Sequence, residues 1–484
     1  MKKKWSLLLL LGAHFCCMAQ TGPVDLTNQD AATMAAGLHY KKASFFKRIL
    51  FGKNYRAEWA TPVTLPLFHL REMGFTIKEL GGGQQTKSLR LLDKTGHEWA
   101  LRTIDKDVEK ALPPTLRHTL AQTVTQDMVS AAHPYAPLVV APLAKATGVI
   151  EAEPTFFIVP DDPALGKYNS LFKNTICLLE DRNPTPDHSD TKSTADIAPA
   201  LFKNGAPQLK GEAVLRARLL DMLTGDWDRH QKQWAWGFEK VDGMDYVYAI
   251  PKDRDQALFY SRGLVVKLAR AVALKHLVGF AKNTAKLKKL NSKGWNFDRM
   301  FLAALSSADW NNIVQQFTTA LPDSIIHAAV KTLPPEVYPL HGAQIEKKLM
   351  ARRNGLQKDA LRYYRFIASS VVVAGTDDAD RFIISTWKDS IQVQRFTGAG
   401  FAHLAFSRTF RGRETYEVTL LGLDGADEFI QQANKASRIH LTIDGGNGAN
   451  KYSVKKNRKV TVYDSEMKAT SYMDVVKKEL RIKE

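Results

Sequence analysis

The segment GDWDRHQKQW (225–234) gathers two aspartates, an arginine, a histidine and two tryptophans, and a second acidic cluster, IPKDRDQALF (250–259), follows it. Carboxylates serve as general acid–base groups and as hard-cation ligands, and amide side chains can share the second role. Asp228, Gln233, Asp253 and Asp255 are therefore the candidates for proton transfer and metal binding. Gln233 and Asp253 each lie ten residues from Gly243. A bulge-free hairpin closing near that glycine predicts the two side by side at its open end. There an amide carbonyl and a carboxylate can hold one hard cation, with Asp255, two residues on, facing the same way. Arg229 and His230 read as supports, the arginine in a carboxylate pair and the histidine bonded to the Asp loop or to backbone. No second histidine sits nearby at ligand spacing, so His230 does not read as a metal ligand. Trp227, Trp234 and Trp236 read as packing anchors. The plainer alternative for the whole cluster is a polar junction whose charges cap helices and hold loops.

These residues need elements to hold them. GEAVLRARLLDML (211–223) reads as a helix that Gly225 can end, which puts Asp228 on a loop fixed by a rigid rod. QWAWGFE and DYVYAIP suit strands, with VDGM as their turn. Upstream, FTIKEL, KSLRLLD and EWALRTI predict three strands within 76–106, the first two separated by Gly81-Gly82-Gly83. Consecutive glycines permit close backbone approach and positive φ, as a phosphate-covering loop needs and as any mobile hairpin needs. Residues 113–133 predict a helix, and PTFFIVP and TICLLED predict short strands. Glu180 ends the latter, at a nucleotide hinge or a plain strand end, and Cys177 within it reads as a buried apolar residue. Pro62 and Pro66 argue for extended chain over 20–75, and 183–210 reads as loop. From Gly211 helices dominate, 263–281 among them as an amphipathic core helix. After about residue 368 alternating strands predict a separate all-β domain. DGGNGANKY (444–452) has the outline of a Gly-rich Ca²⁺-binding β-roll repeat, but it stands alone with Asn where Asp is needed and reads as a turn. No repeat of fixed period emerges.

A chain of 484 residues predicts two or three domains. MKKKW followed by SLLLLLGAHFCCMA has the basic and apolar regions of a signal peptide, with cleavage expected near Ala19; a lipoprotein reading through Cys16 or Cys17 is poorer, because His14-Phe15 departs from a lipobox. Cleavage leaves Cys177 as the lone cysteine and excludes an internal disulfide. It also removes Lys2, Lys3 and Lys4, lowering the net charge from +18 to +15. A basic surface suits a nucleotide, a phosphorylated substrate or a membrane surface, while nucleic acid does not suit an exported chain. No later segment predicts a membrane span. The expected location is periplasmic or outer-membrane associated.

GDWDRHQKQW followed by PKDRDQALF resembles the Asp-Arg-His catalytic loop of atypical kinases, which include phosphoinositide lipid kinases, HipA-like kinases and secretory-pathway kinases. Over most of residues 50 to 465 the chain is similar to an exported Bacteroidetes-type module carrying YRAEWATPV, GGGQQTKSLRL, TQDMVSAAHPYA and GDWDRH…PKDRDQA. Such modules commonly precede an outer-membrane β-barrel of the surface-antigen type, and no barrel is expected here. The resemblance implies an α+β fold of atypical protein-kinase-like type. Behind a signal peptide (1–19) and an extended segment (20–75) it would have a β-rich N-lobe (76–185), a helical C-lobe (186–367) and a small all-β C-terminal domain (368–484). It implies ATP or another nucleotide with Mg²⁺ or Mn²⁺, and transfer to a protein, lipid or glycan acceptor. Asp228 matches the catalytic base, Gln233 the metal-binding amide (in place of Asn) and Asp253 the metal carboxylate, while Asp226 stands where an Asn is usual. Gly81 to Gly83 would cover the phosphates. Arg102 occupies the place of the phosphate-binding lysine, with Lys106 four residues on, and Asp127 is the nearest candidate for their acidic partner on the following helix. The alternative is a kinase-like scaffold without catalysis, binding an outer-membrane or other envelope protein.

Overall fold

The computed structural model describes residues 31–463 apart from 82–85, 110–113, 204, 273, 436 and 456–457. The predicted leader, Gly82 and Gly83 lie outside the described residues. The fold mixes α and β structure.

The chain opens with strand β1 (Ala31–Ala35), helices α1 (Phe45–Phe51) and α2 (Arg56–Ala60), and strand β2 (Pro62–Pro66) antiparallel to β1. The extended chain expected over 20–75 is corrected here: Pro62 and Pro66 begin and end a strand and leave the preceding residues free to be helical. A five-stranded sheet follows in the order β3-β4-β5-β7-β6. Its strands are β3 (Thr76–Gly81), β4 (Ser88–Leu92), β5 (Glu98–Thr103), β6 (Thr155–Val159) and β7 (Thr175–Asp181). Alternation along β7 divides its apolar side chains between two cores. Cys177 and Leu179 pack with Leu89, Leu101 and Phe157, whereas Ile176 and Leu178 join the core shared with the helices. Between β5 and β6 lie α3 (Leu120–Val129), shorter than the 113–133 helix expected, and α4 (Ala136–Ala146).

The helical half is built on α7 (Gly211–Thr224), reached through α5 (Asn169–Phe172) and α6 (Thr194–Ala200). α6 corrects the loop expected over 183–210; a reciprocal Ser193–Asp196 capping box starts it inside a polar stretch. After α7 come strands β10 (Trp234–Val241) and β11 (Met244–Pro251), flanked by the two-residue strands β8 (Lys192–Ser193) and β9 (Gln208–Leu209). The core helix expected over 263–281 is also corrected. α8 spans only Leu264–Val272 and turns Leu264, Leu268 and Val272 outward, with 47%, 67% and 81% of their surface exposed. Helices α9 (Leu287–Leu290), α10 (Trp295–Phe301), α11 (Ser307–Thr319), α12 (Asp323–Lys331) and the 30-residue α13 (Tyr338–Ile367) complete this half. They pack Trp310, Phe317 and Leu349 against Leu219 and Leu223 of α7.

Among the described residues, 370–463 form strands β12 to β20 and one short 3₁₀ turn. β12 (Ser370–Ala374), β16 (Glu417–Leu421), β18 (His440–Asp444) and β20 (Val460–Tyr463) stack in parallel as one sheet. β13 (Arg381–Trp387), β17 (Glu428–Asn434) and β19 (Lys451–Ser453) stack in parallel as the other, extended antiparallel by β14 (Ser390–Thr397) and β15 (His403–Arg411). The chain alternates between the sheets, forming a two-sheet solenoid. The single turn expected at 444–452 is therefore the third of three equivalent turns: Gly375-Thr-Asp-Asp-Ala-Asp380, Gly422-Leu-Asp-Gly-Ala-Asp427 and Gly445-Gly-Asn-Gly-Ala-Asn450. The Asp380 N–H donates to Asp427, the Asp427 N–H donates to Asn450, and Phe382, Phe429 and Tyr452 stack face to face. A Cβ on Gly422 would lie 2.2 Å from the Gly445 carbonyl oxygen, so close stacking demands glycine there. The repeat has no fixed period because the β14–β15 hairpin is inserted in one pass only. Ser370 pairs with Glu417, and Glu417 with His440, spacings of 47 and 23 residues.

Candidate functional site

Helix α7 ends at Gly225, whose left-handed conformation (φ 74°, ψ 27°) turns the chain sharply into the Asp loop. The Gly225 and Asp226 N–H groups both donate to the Asp221 carbonyl, and Asp226 accepts the Asp228 N–H at 3.1 Å. Asp228 thus stands on a bonded turn at the end of a rigid helix. It is partly exposed, with Lys293 Nζ 2.6 Å away.

Strands β10 and β11 pair through a tight turn in which Asp242 (φ 50°) and Gly243 (φ 80°) both have positive φ, as a two-residue type I′ turn requires. Val241 pairs with Met244, so the register sets Gln233 opposite Lys252, one residue from the expected partner. Asp253 leaves the strand with φ 59°, and Gln233 Nε2 reaches it diagonally at 3.2 Å. The amide and the carboxylate are therefore adjacent, as the spacing predicts, although they are not a cross-strand pair.

The two Asp-Arg segments are joined by a residue the sequence reading did not single out. Asp221 of α7 is fully buried and ion-paired to Arg218, Arg229 and Arg254. Arg229 comes from DWDRH and Arg254 from KDRDQ, so one carboxylate sets both loops in register. Arg229 also pairs with Asp226 at 2.9 Å and donates to the carbonyls of Gln233 and Lys252 at the hairpin base. Arg254 pairs with Glu151, and Arg218 with Asp298. On α7, an Asp three residues after an Arg looks like an ordinary surface pair, and only packing shows it to be a buried hub. His230 accepts the Lys232 N–H and starts a short 3₁₀ turn, as its reading as a support anticipates.

The β3–β7 sheet supplies the other wall of a cleft of about 840 Å³, lined by Arg102, Lys106, Glu180, Asp228, Gln233 and Asp253 among others. Lys106 pairs with Asp255, and Arg102 lies 3.5 Å from Glu180. Burial opposes ionisation of Asp253, but Lys106 and Arg102 outweigh it and hold the carboxyl at about 2. Asp255 is pushed up to about 6 by burial and by Asp253 beside it, against the pull of Lys106. Glu180 is pushed up to about 7 by burial, against Arg102. Asp226 is raised to about 6 by burial, although Arg229 lies beside it. Burial also opposes the charge on Lys106, but Asp255 and Asp253 raise its pKa above the ordinary lysine range. Asp253 and the cations Arg102 and Lys106 thus stabilise one another's charge, whereas burial and Asp253 work against the charge on Asp255.

Gly81 ends β3 opposite Ser88, on the margin of this wall. Asp127 is corrected. It lies on α3 as expected, but its carboxylate binds Arg56 at 2.5 Å and Lys47 at 2.9 Å. α3 turns that face toward α1 and α2, and the acidic partners of the basic strand are Asp255 and Glu180 instead. Lys293 is the other residue the sequence reading missed; only folding brings it 65 positions back to Asp228.

No family model matches this chain, and no curated protein matches it. Among solved structures it is similar to the Helicobacter pylori proinflammatory kinase CtkA. That likeness has 11% identity and a TM-score of 0.33, covering 61% of this chain and 99% of that one. It is also similar to the Rio2 kinase-ADP/Mg2+-phosphoaspartate complex from Chaetomium thermophilum, at 12% identity and a TM-score of 0.24, covering 58% and 70%.

Proposed function

We propose that the chain is a nucleotide-dependent phosphotransferase of atypical-kinase-like, two-lobed layout, with its site between the β3–β7 sheet and the helical half. The observation that carries the reading is the convergence of Asp228, the Gln233–Asp253 pair and the Lys106–Asp255 pair on one cleft from separate segments of the chain. Asp253, Asp255 and the Gln233 amide form an all-oxygen donor set of the kind that suits Mg²⁺ or Mn²⁺; they would hold the ion, once the amide turns its oxygen inward, and the ion would neutralise phosphate charge. Arg102 and Lys106 place fixed positive charge on the same wall to bind phosphate oxygens. Asp228 accepts the proton of an attacking hydroxyl, and its loop, bonded at Asp226 and braced by Arg229, holds that oxygen acceptor in place. Glu180 faces the cleft at the end of β7, where the chain crosses between the halves. The acceptor is a hydroxyl on a protein, lipid or glycan of the cell envelope, reached by export through the N-terminal leader.

The Lys293–Asp228 pair favours a second reading, a nucleotide-binding scaffold whose base is neutralised. Titrating the purified protein with ATP and Mn²⁺, beside Asp253→Ala, tests the nucleotide site that both readings share. Metal-dependent binding lost in Asp253→Ala supports a nucleotide site, and absence of binding at millimolar nucleotide ends both readings. Incubation with γ-labelled ATP then tests transfer. Asp228→Asn should bind nucleotide normally and lose about 10²-fold or more of any label transferred, whereas binding without transfer by the wild type leaves the scaffold.

A further inference from the structure

A second cluster of ligand-type side chains lies outside the cleft. Because β7 alternates, Glu180 follows the Ile176/Leu178 face toward the cleft, and Asp181 follows the Cys177/Leu179 face away from it. On that far side His97, from the β4–β5 turn, places Nε2 2.6 Å from Asp181 Oδ1. His188, from the loop that crosses to the helical half, places Nδ1 3.7 Å from Asp181 Oδ2. The three ligand atoms all lie within 4.8 Å of one another. The two imidazole rings meet edge to face, with centroids 4.9 Å apart. The His97 and Asp181 side chains are mostly buried, at 12% and 15% exposure, while that of His188 is 68% exposed. Two neutral imidazoles and one carboxylate are a borderline-soft donor set that late first-row metals prefer and Mg²⁺ does not. Zinc bound this way keeps a fourth position, which solvent on the His188 side can fill. The Asn183 N–H donates to Asp181 at 2.8 Å and fixes the carboxylate, while the Asn183 side chain bonds Asp190 and Thr191 and shapes the loop that carries His188.

We propose that His97, Asp181 and His188 form a zinc-class metal site that clips the crossover loop to the β4–β5 turn. Its donor set differs chemically from that of Asp253 and Asp255, and Asp181 follows the opposite strand face from Glu180. Its consequence is mechanical. Asp181 directly follows Glu180, so a bound metal would fix the strand end that forms one margin of the cleft.

The test is zinc titration of chelator-treated, full-length protein against a chromogenic zinc indicator, for the wild type and for His97→Ala, His188→Ala and Asp253→Ala. The expected result is a single tight equivalent that millimolar Mg²⁺ does not displace. Affinity should fall about tenfold or more in each histidine variant and stay unchanged in Asp253→Ala. Cobalt in place of zinc should give a visible d–d spectrum that His188→Ala alters. His188 is exposed, so His188→Ala with EDTA should match the wild type in circular dichroism and Tm, which separates ligand loss from misfolding. The proposal is overturned if the wild type binds no tight zinc, if both histidine variants bind as the wild type does, or if only Asp253→Ala loses the equivalent.

Discussion

Asp221 shows how much one buried carboxylate can organise. Its pKa stays below the ordinary range because Arg229, Arg254 and Arg218 together outweigh the burial that opposes its charge. Removing it leaves three guanidinium groups short of an anion at a position closed to bulk solvent. Asp221→Ala should therefore destabilise the protein by about 3–5 kcal/mol, read by urea denaturation. It should also disturb the nucleotide binding proposed above, since the two loops it aligns carry Asp228 and Asp253. A loss below about 1 kcal/mol would mean that Asp226 and Glu151 hold the arginines without it. Asp127 is settled by the same kind of contact. A carboxylate on the expected helix met a closer pair of cations, Arg56 and Lys47, and took no part in the cleft.

Among the elements, α7 carries the candidate site and is fixed at its C-terminal end by a residue from α13. Arg352 donates to the Leu223 and Met222 carbonyls of α7 and to those of Ala281 and Asn283, which satisfies helix-end acceptors and opposes the negative pole of the helix. Gly225 then redirects the chain. Gly225→Ala places a side chain at positive φ and a Cβ 3.3 Å from Phe280, and should cost roughly 1–2 kcal/mol in thermal or chemical denaturation. The opposite expectation holds for α8, whose outer stripe is uncovered. Leu268→Ser and Val272→Ser should stay within about 0.5 kcal/mol of the wild type by the same measurement, and a large loss would show that this stripe is covered in solution.

For the whole molecule, the solenoid beyond residue 370 stacks equivalent turns so closely that the buried side chains of Asp380 and Asp427 come to lie near one another. Asp427 is fully buried, and burial together with the nearby Asp380 pushes its carboxyl up to about 7, although the Asp380 N–H donates to it. A carboxyl raised above its unfolded value, about 4, favours the folded state by its proton. That contribution is complete below about pH 4 and is lost as pH rises through about 7. Asp427→Asn stays neutral and keeps an oxygen for the Asp380 N–H. Its stability relative to the wild type should therefore rise between pH 5 and pH 8, measured as the difference in denaturation midpoint at each pH. A difference that does not change with pH would place the Asp427 carboxyl at an ordinary pKa.

The sequence by itself determined what depends on neighbours in the chain. The strands of the first sheet follow from their alternation, the end of α7 from Gly225, and the β10–β11 hairpin from Asp242-Gly243, whose turn brings Gln233 to Asp253 within one residue of the expected register. Only tertiary structure decided which charges meet. The pairing of Lys106 with Asp255, the placing of Lys293 on Asp228 and the meeting of Arg229 and Arg254 on Asp221 all join residues from separate elements, and periodicity and turn chemistry carry no record of such partners. The solenoid repeat was hidden for a related reason. Its glycines, Asp/Asn ladder and stacked rings are all legible, but the β14–β15 hairpin breaks their spacing, and the equivalence appears only when parallel strands pair Ser370 with Glu417 and Glu417 with His440.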